Sequence, residues 1–286
     1  MRRTYGISIS NIIHPTDFSH GSEVAFGHAL KLTLGTTGQL EILHVDREHK
    51  RAAWDQYPSV RDTLVRWGHL SPNAARGDVA KLGVHISKSA CKGAETASGV
   101  LDHVDRRDAD LVVMATHRRE GIDRWMHSSL SERVANRTDA STLFVPYGMD
   151  GFVDLNTGLT SLRRILIPID STPDPRPAVD AVGIIVDAIC EQPAEIRLLH
   201  IGDPADMPSP TLPQSDLCTW TWQTRTGSVV DGICSDATEN NVDLIAMTTN
   251  GHDGFLDAIR GSTTERVLRQ SACPVLACHQ QEGDGV

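Results

Sequence analysis

Two glycines and two hydroxyls near the end of the chain could hold an anion. Gly251 and Gly261 are separated by nine residues, and Ser262 and Thr263 follow the second glycine at the start of a helix pattern. The stretch is entered from an apolar run, VDLIAM, and left through another, PVLAC. A strand, a glycine-bearing loop and a hydroxyl-capped helix start present free backbone N–H groups at the positive end of a helix. Gly251 would allow the backbone to approach a phosphate closely. Covalent chemistry has no comparable constellation. The sequence holds no G-x-S-x-G, no H-E-x-x-H and no G-x-x-x-x-G-K-[ST]. The expectation is an anion-binding protein, more readily a binding module than an enzyme.

The elements that must carry this stretch occur twice. Residues 108–145 align without a gap on 241–278, at an offset of 133. Upstream, NIIHPTDFS (11–19) matches RILIPIDST (164–172), and EILHVD (41–46) matches RLLHIGD (197–203), which sets His44 on His200. In the first half, strands near 9–14, 40–45, 83–88, 110–115 and 142–145 alternate with helices near 20–34, 53–81, 94–107 and 129–138. Consecutive aliphatics in LVVMAT and LEILHV suit buried parallel strands. Each half therefore reads as a doubly wound α/β unit with a five-stranded parallel sheet. Ligands of such sheets sit beyond the carboxyl ends of the strands, where strand order reverses. In the second half four prolines in 202–216 exclude the counterpart of the one or two helices expected at 53–81, so an extended loop should cover that face. Trp220 and Trp222 alternate onto one face of the next strand and read as packing residues, with an aromatic contact for a base as the alternative.

The pattern strand-Pro-x-Asp-x-Ser, LLHV at the second strand, G-x-x-G-(nine residues)-G-S and C-P-V-L resembles the universal stress protein family (UspA-like). It covers nearly the whole chain twice, as in the tandem two-domain members. The resemblance implies the adenine nucleotide alpha hydrolase-like fold, with two pseudo-twofold-related sheets and adenine nucleotide at the strand carboxyl ends. ATP, with or without Mg, is the ligand it implies, with AMP or ADP as alternatives. On this chain the implied pocket is Pro168, Asp170, Ile201, Met247, Thr248, Gly251, Gly261, Ser262 and Thr263. Asp170 would contact the adenosine and Ile201 the base, while Thr248 replaces the first motif glycine. The resemblance also implies that the halves pair through their last strands, STLFVP and CPVLAC, and it leaves room for a homodimer.

The first half keeps Pro15, Asp17 and Val45 but loses the glycines. Ala115, Arg118 and Ser128 stand in their places, with Ser129 behind them, so this second pocket is expected to be degenerate. Ser262 to Glu265 and Ser129 to Glu132 both form capping boxes, so the serine belongs to the helix and only the glycines mark a phosphate site. Glu265, in the first turn, would compete with a phosphate. His14, His44 and His117 fall near one sheet edge and are weak candidates for a metal; polar histidines at a pocket rim are the plainer reading. Two rival functions remain: a slow ATPase or other nucleotide-dependent enzyme, and a nucleotide-free interaction or metal-binding protein.

Composition sets the outer bounds. The chain has 286 residues, 40% apolar and 22% charged, with a formal charge of −10, which argues against a nucleic-acid partner. No apolar run is long enough for a membrane span, and Arg2-Arg3 has no apolar stretch behind it, so a cytoplasmic place is expected. The six cysteines form no C-x-x-C and read as buried or half-buried thiols. The expected domains are 1–147 and 163–280, joined by a linker at 148–162.

Overall fold

The computed structural model describes residues 7–46, 54–55, 57–92, 96–116, 140–249 and 263–279. The expected helix near 129–138 lies outside them. Ten strands form a single sheet: β1 (Asn11–Pro15), β2 (Gln39–Asp46), β3 (His85–Lys92), β4 (Leu111–Thr116), β5 (Ser141–Pro146), β6 (Arg164–Pro168), β7 (Ala194–Ile201), β8 (Cys218–Arg225), β9 (Leu244–Thr249) and β10 (Val275–His279). Their spatial order is β3-β2-β1-β4-β5-β10-β9-β6-β7-β8, and the second five repeat the first in mirror sequence. Every pairing is parallel except β5 with β10, where Leu143 faces Leu276 in an antiparallel register. The order reverses between β1 and β4 in the first half and between β6 and β9 in the second, which fixes two crevices at the carboxyl edge.

Helices α1 (His20–Thr36) and α4 (Arg176–Ile189) share one face of the sheet. Ser19 caps α1 by accepting the Ser22 N–H at 3.3 Å. Here one core runs through both halves, from Leu30 and Leu32 on α1 to Val182 and Ile185 on α4. The opposite face carries two smaller cores. α3 (Thr96–Arg107) packs Val100 and Val104 over the first half, and α5 (Val229–Glu239) packs Ile233 over the second. Leu268 of α6 (Thr263–Gln270) touches both.

Three connecting segments take their form from local causes. The one or two helices expected over 53–81 are α2 (Val60–Arg66) and a 3-10 helix at Arg76–Leu82, together shorter than that span. Gly68, at φ 78°, turns the chain out of the first helix, and Pro72 follows. The proline-rich stretch of the second half makes one short 3-10 turn, Pro204–Asp206, and then runs without regular structure to Cys218. It covers the sheet with Met207, Leu212 and Leu217, as an extended loop should. The stretch between the halves is packed: Phe152, Val153 and Leu162 are buried, and Val153 bridges Thr160. His28 of α1 holds it, since Nε2 accepts the Phe152 N–H at 3.0 Å.

Candidate functional site

β6 and β9 run side by side in the register Leu166 to Ile245, so Asp170 and Thr248 emerge together where the strand order reverses. Pro168 ends β6 half-buried, and Asp170 is exposed beyond it, with Oδ1 accepting the Ser171 N–H at 2.7 Å. Met247 is buried in the core beneath the edge. Thr248 is buried as well, and its hydroxyl accepts the Ala178 N–H of α4 at 3.4 Å. The side chain at the position of the first motif glycine therefore turns onto a helix end. Pro175, the N-cap of α4, offers no side-chain acceptor, so Thr248 supplies one. Thr263 opens α6, and Glu265 in its first turn pairs with Arg269 one turn on. Gly251, Gly261 and Ser262 lie outside the described residues.

The end of β7 is shaped from both faces. Ile201 points toward α5, where a Cβ on Gly232 would come within 2.7 Å of its Cδ1. The first half repeats this: Val45 meets Gly99 of α3, whose added Cβ would lie 3.1 Å from Cγ1. Gly99 and Gly232 are 133 residues apart, the same offset that aligns the strand-and-loop segments. Sequence reasoning missed this pair, although the duplication held the signal. His200, on the other face, donates from Nδ1 to the Ile169 carbonyl at 3.2 Å, and His44 does the same to Thr16 at 2.9 Å. The strand histidine thus fixes the backbone leading into the aspartate in both halves.

Asp17 is exposed at the corresponding edge of the first half, beside Pro15, but its surroundings differ. Phe18, at φ 64°, lies on His44 with ring centroids 4.4 Å apart, and Trp54 meets it at 5.1 Å. The second half has Ser171 in place of Phe18. Arg118, Ser128 and Ser129 lie outside the described residues. Of the candidate metal ligands, His14 is fully buried, donates from Nδ1 to the Val113 carbonyl at 2.8 Å and sets Nε2 2.6 Å from the Tyr57 hydroxyl. Burial lowers its pKa to about 4. His44 is committed to Thr16, and His117 lies outside the described residues. Among the described residues no group of three or more His, Cys, Asp or Glu side chains could hold a metal ion.

A cleft of about 980 Å³ opens elsewhere, between α1, α2 and residues 150–161. Two carboxylates on its rim are already engaged. Asp154 accepts the Asn156 and Thr157 N–H groups, and Asp62 is held by Arg61 at 2.6 Å. Sequence reasoning missed this cleft because its roof exists only once Phe152 is docked on His28.

Solved structures share this architecture. A universal stress protein from Archaeoglobus fulgidus DSM 4304 matches 94% of this chain and 97% of its own at 19% identity, with a TM-score of 0.62. A structure described as a putative universal stress protein, from Pseudomonas aeruginosa UCBPP-PA14, matches 95% of this chain and 94% of its own at 11% identity and a TM-score of 0.61. A protein described as functionally unknown, from Pseudomonas aeruginosa PAO1, gives 12% identity and a TM-score of 0.58, covering 95% of this chain and 93% of its own. At these identities the likeness establishes the fold. No curated protein matches the sequence. Among the described residues no helix is long and apolar enough to cross a membrane. The model of the universal stress protein family matches residues 8–146 and 218–279, well over half of the sequence and parts of both halves. By that match, on a duplicated α/β fold shared with solved universal stress proteins, the chain belongs to the universal stress protein family.

Proposed function

We propose that the chain is a regulatory, stress-response protein that holds one adenine nucleotide, ATP foremost, at the carboxyl edge of its second half. The observation that carries this reading is the β6–β9 crevice. Asp170 stands exposed at its mouth, while the side chain that replaces the first motif glycine is turned away onto α4. Two objections raised by the sequence thereby weaken. Thr248 is occupied as a cap, and Glu265 has Arg269 as its counter-charge. Thr263, at the N-terminus of α6, lies on the same edge, where helix N–H groups favour phosphate. The glycines at 251 and 261 would complete the cradle, and the first half, with Arg118 and Ser128 at their counterparts, would serve as a degenerate partner.

Within this reading 1–147 and 163–280 are the two domains, and β5 with β10 is their internal pairing. ATP should raise the melting temperature of the purified chain, because a ligand at about one hundred times its dissociation constant stabilises by about 2.7 kcal/mol. Asp170→Ala should weaken that response, and Gly251→Arg, which copies Arg118, should abolish it. A full response in the Gly251→Arg variant would overturn the assignment. Steady-state ATP turnover well above background, lost in Asp170→Ala, would instead favour the enzyme reading.

A further inference from the structure

Each half buries one carboxylate between strand and helix, borne by the strand in the first half and by the helix in the second. In the first, Glu41 of β2 is 7% exposed; His103 Nε2 and Arg107 Nε of α3 lie 2.9 and 3.0 Å from its carboxylate. Ser89 of β3 donates its hydroxyl to the same group. In the second half the strand carries the cation. Arg197 of β7 places Nη1 3.1 Å from Asp236 Oδ1 on α5, and Arg225 of β8 places Nη2 2.9 Å from the other oxygen. Asp236 is wholly buried.

The positions correspond. Glu41 and Arg197 each lie three residues before the strand histidines, His44 and His200. His103 and Asp236 are 133 apart, the offset that also sets Val100 on Ile233 and Val104 on Ala237. The same offset pairs two left-handed residues just beyond the helices, Asp108 at φ 50° and Asn241 at φ 49°. Apolar packing does not tell the two halves apart. α3 lays valines on Leu43 and Val45, and α5 lays Ile233 and Ala237 on Leu199 and Ile201.

We infer that the reversed polarity is a specificity device, which keeps the helix of one half from assembling on the strands of the other, within a chain or between two chains. Docked crosswise, the carboxylates of Asp236 and Glu41 would meet out of water, and Arg107 would face Arg197 and Arg225. A buried charge set against its own sign is penalised far more than an imperfect apolar contact. Misassembly between homologous units is the characteristic failure of repeat-containing chains, so a device against it has a use.

The test is refolding of the full chain by dilution from denaturant, with monomer yield read by size-exclusion chromatography. Arg197→Glu with Asp236→His gives the β7–α5 pair of the second half the polarity of the β2–α3 pair of the first, while Arg225 stays on β8. The expected result is a severalfold loss of monomer yield, with exchanged dimers and larger species in its place. Adding Glu41→Arg and His103→Asp restores opposition, with the sign reversed in both halves. The first half then has two cations, the one introduced on β2 and Arg107, on the one carboxylate introduced on α3. That arrangement is tolerable because the Arg107 side chain is 56% exposed and keeps its hydration, whereas Arg197 and Arg225, which share Asp236, are each also paired, with Glu195 and Glu239. The yield should then recover. Refolding of the two-residue variant with the wild-type yield would overturn the inference, and so would a four-residue variant that recovers nothing. Should the two-residue variant not fold at all, Glu41→Arg with His103→Asp alone decides in its place, because it equally matches the two polarities: a severalfold loss of monomer yield supports the inference and the wild-type yield overturns it.

Discussion

At the scale of single residues, the buried histidines set how the chain responds to acid. His28 is fully buried, donating from Nδ1 to the Val24 carbonyl at 2.8 Å and accepting the Phe152 N–H at Nε2, which requires the neutral ring. Burial lowers the pKa of both His14 and His28 to about 4, from the 6.5 of an exposed imidazole. Between those values the unfolded chain takes up protons that the folded chain refuses. Stability is therefore complete above about pH 6.5 and is lost as pH falls toward 4, by about 3 kcal/mol for each imidazole. Urea midpoints at pH 7 and pH 4.5 should differ accordingly, and His28→Gln, which keeps an acceptor but does not titrate, should shrink the difference. An unchanged difference in that variant would show that the ring is not held neutral. Little of this was legible in the sequence. His28 falls on an apolar stripe, but its partner Phe152 is 124 residues away. Thr248 likewise read as damage to a motif, because Ala178, whose N–H it accepts, is 70 residues distant.

At the scale of elements, periodicity located the start of each first-half strand to within about two residues, because buried parallel strands leave unbroken aliphatic runs. The same signal did worse between β2 and β3, where the apolar spacing of SVRDTLVRWGHL suggested more helix than Gly68 and Pro72 allow. The core-facing stripe of α1 was legible, but the partners of each helix were not, and two glycines show why they matter. A Cβ on Gly35 of α1 would run into the backbone carbonyl of Ala188 on α4, which cannot swing aside. Gly35→Ala gains at most about 1 kcal/mol of helix propensity, less near a helix end, against an overpacking cost of about 1–3 kcal/mol. The clash wins, and the variant should lose about 1 kcal/mol. Gly232→Ala meets only the Cδ1 methyl of Ile201, a side-chain end that can rotate away. There the gain in helix propensity prevails, and the variant should be neutral or slightly more stable. Urea midpoints of the two variants should move apart; equal losses would mean that α5 sits as rigidly on Ile201 as α1 does on α4.

At the scale of the whole molecule, duplication made two similar halves legible in the sequence, and the structure adds how much they share. A sheet of ten strands runs across both, closed at its centre by β5 and β10. On one face α1 and α4 bury a common core, so neither half could lose its apolar contacts without exposing those of the other. On the opposite face the cores are separate, although Leu268 of α6 touches both. Separate cores alone would favour two unfolding steps, one for each half. The shared core opposes this, because unfolding one half would expose Leu30 and Leu32, or Val182 and Ile185, against water at about 1.5–3 kcal/mol for each side chain. A handful of such side chains matches the whole margin of an ordinary domain, about 5–15 kcal/mol. Coupling on that scale outweighs any difference in intrinsic stability between the halves, and calorimetry of the nucleotide-free chain should show one transition, with van't Hoff and calorimetric enthalpies in agreement. ATP bound only at the second half should then shift that one transition as a whole. A transition that splits when ATP is added, leaving the first half at its original midpoint, would show that the common core does not bind the halves into one cooperative unit.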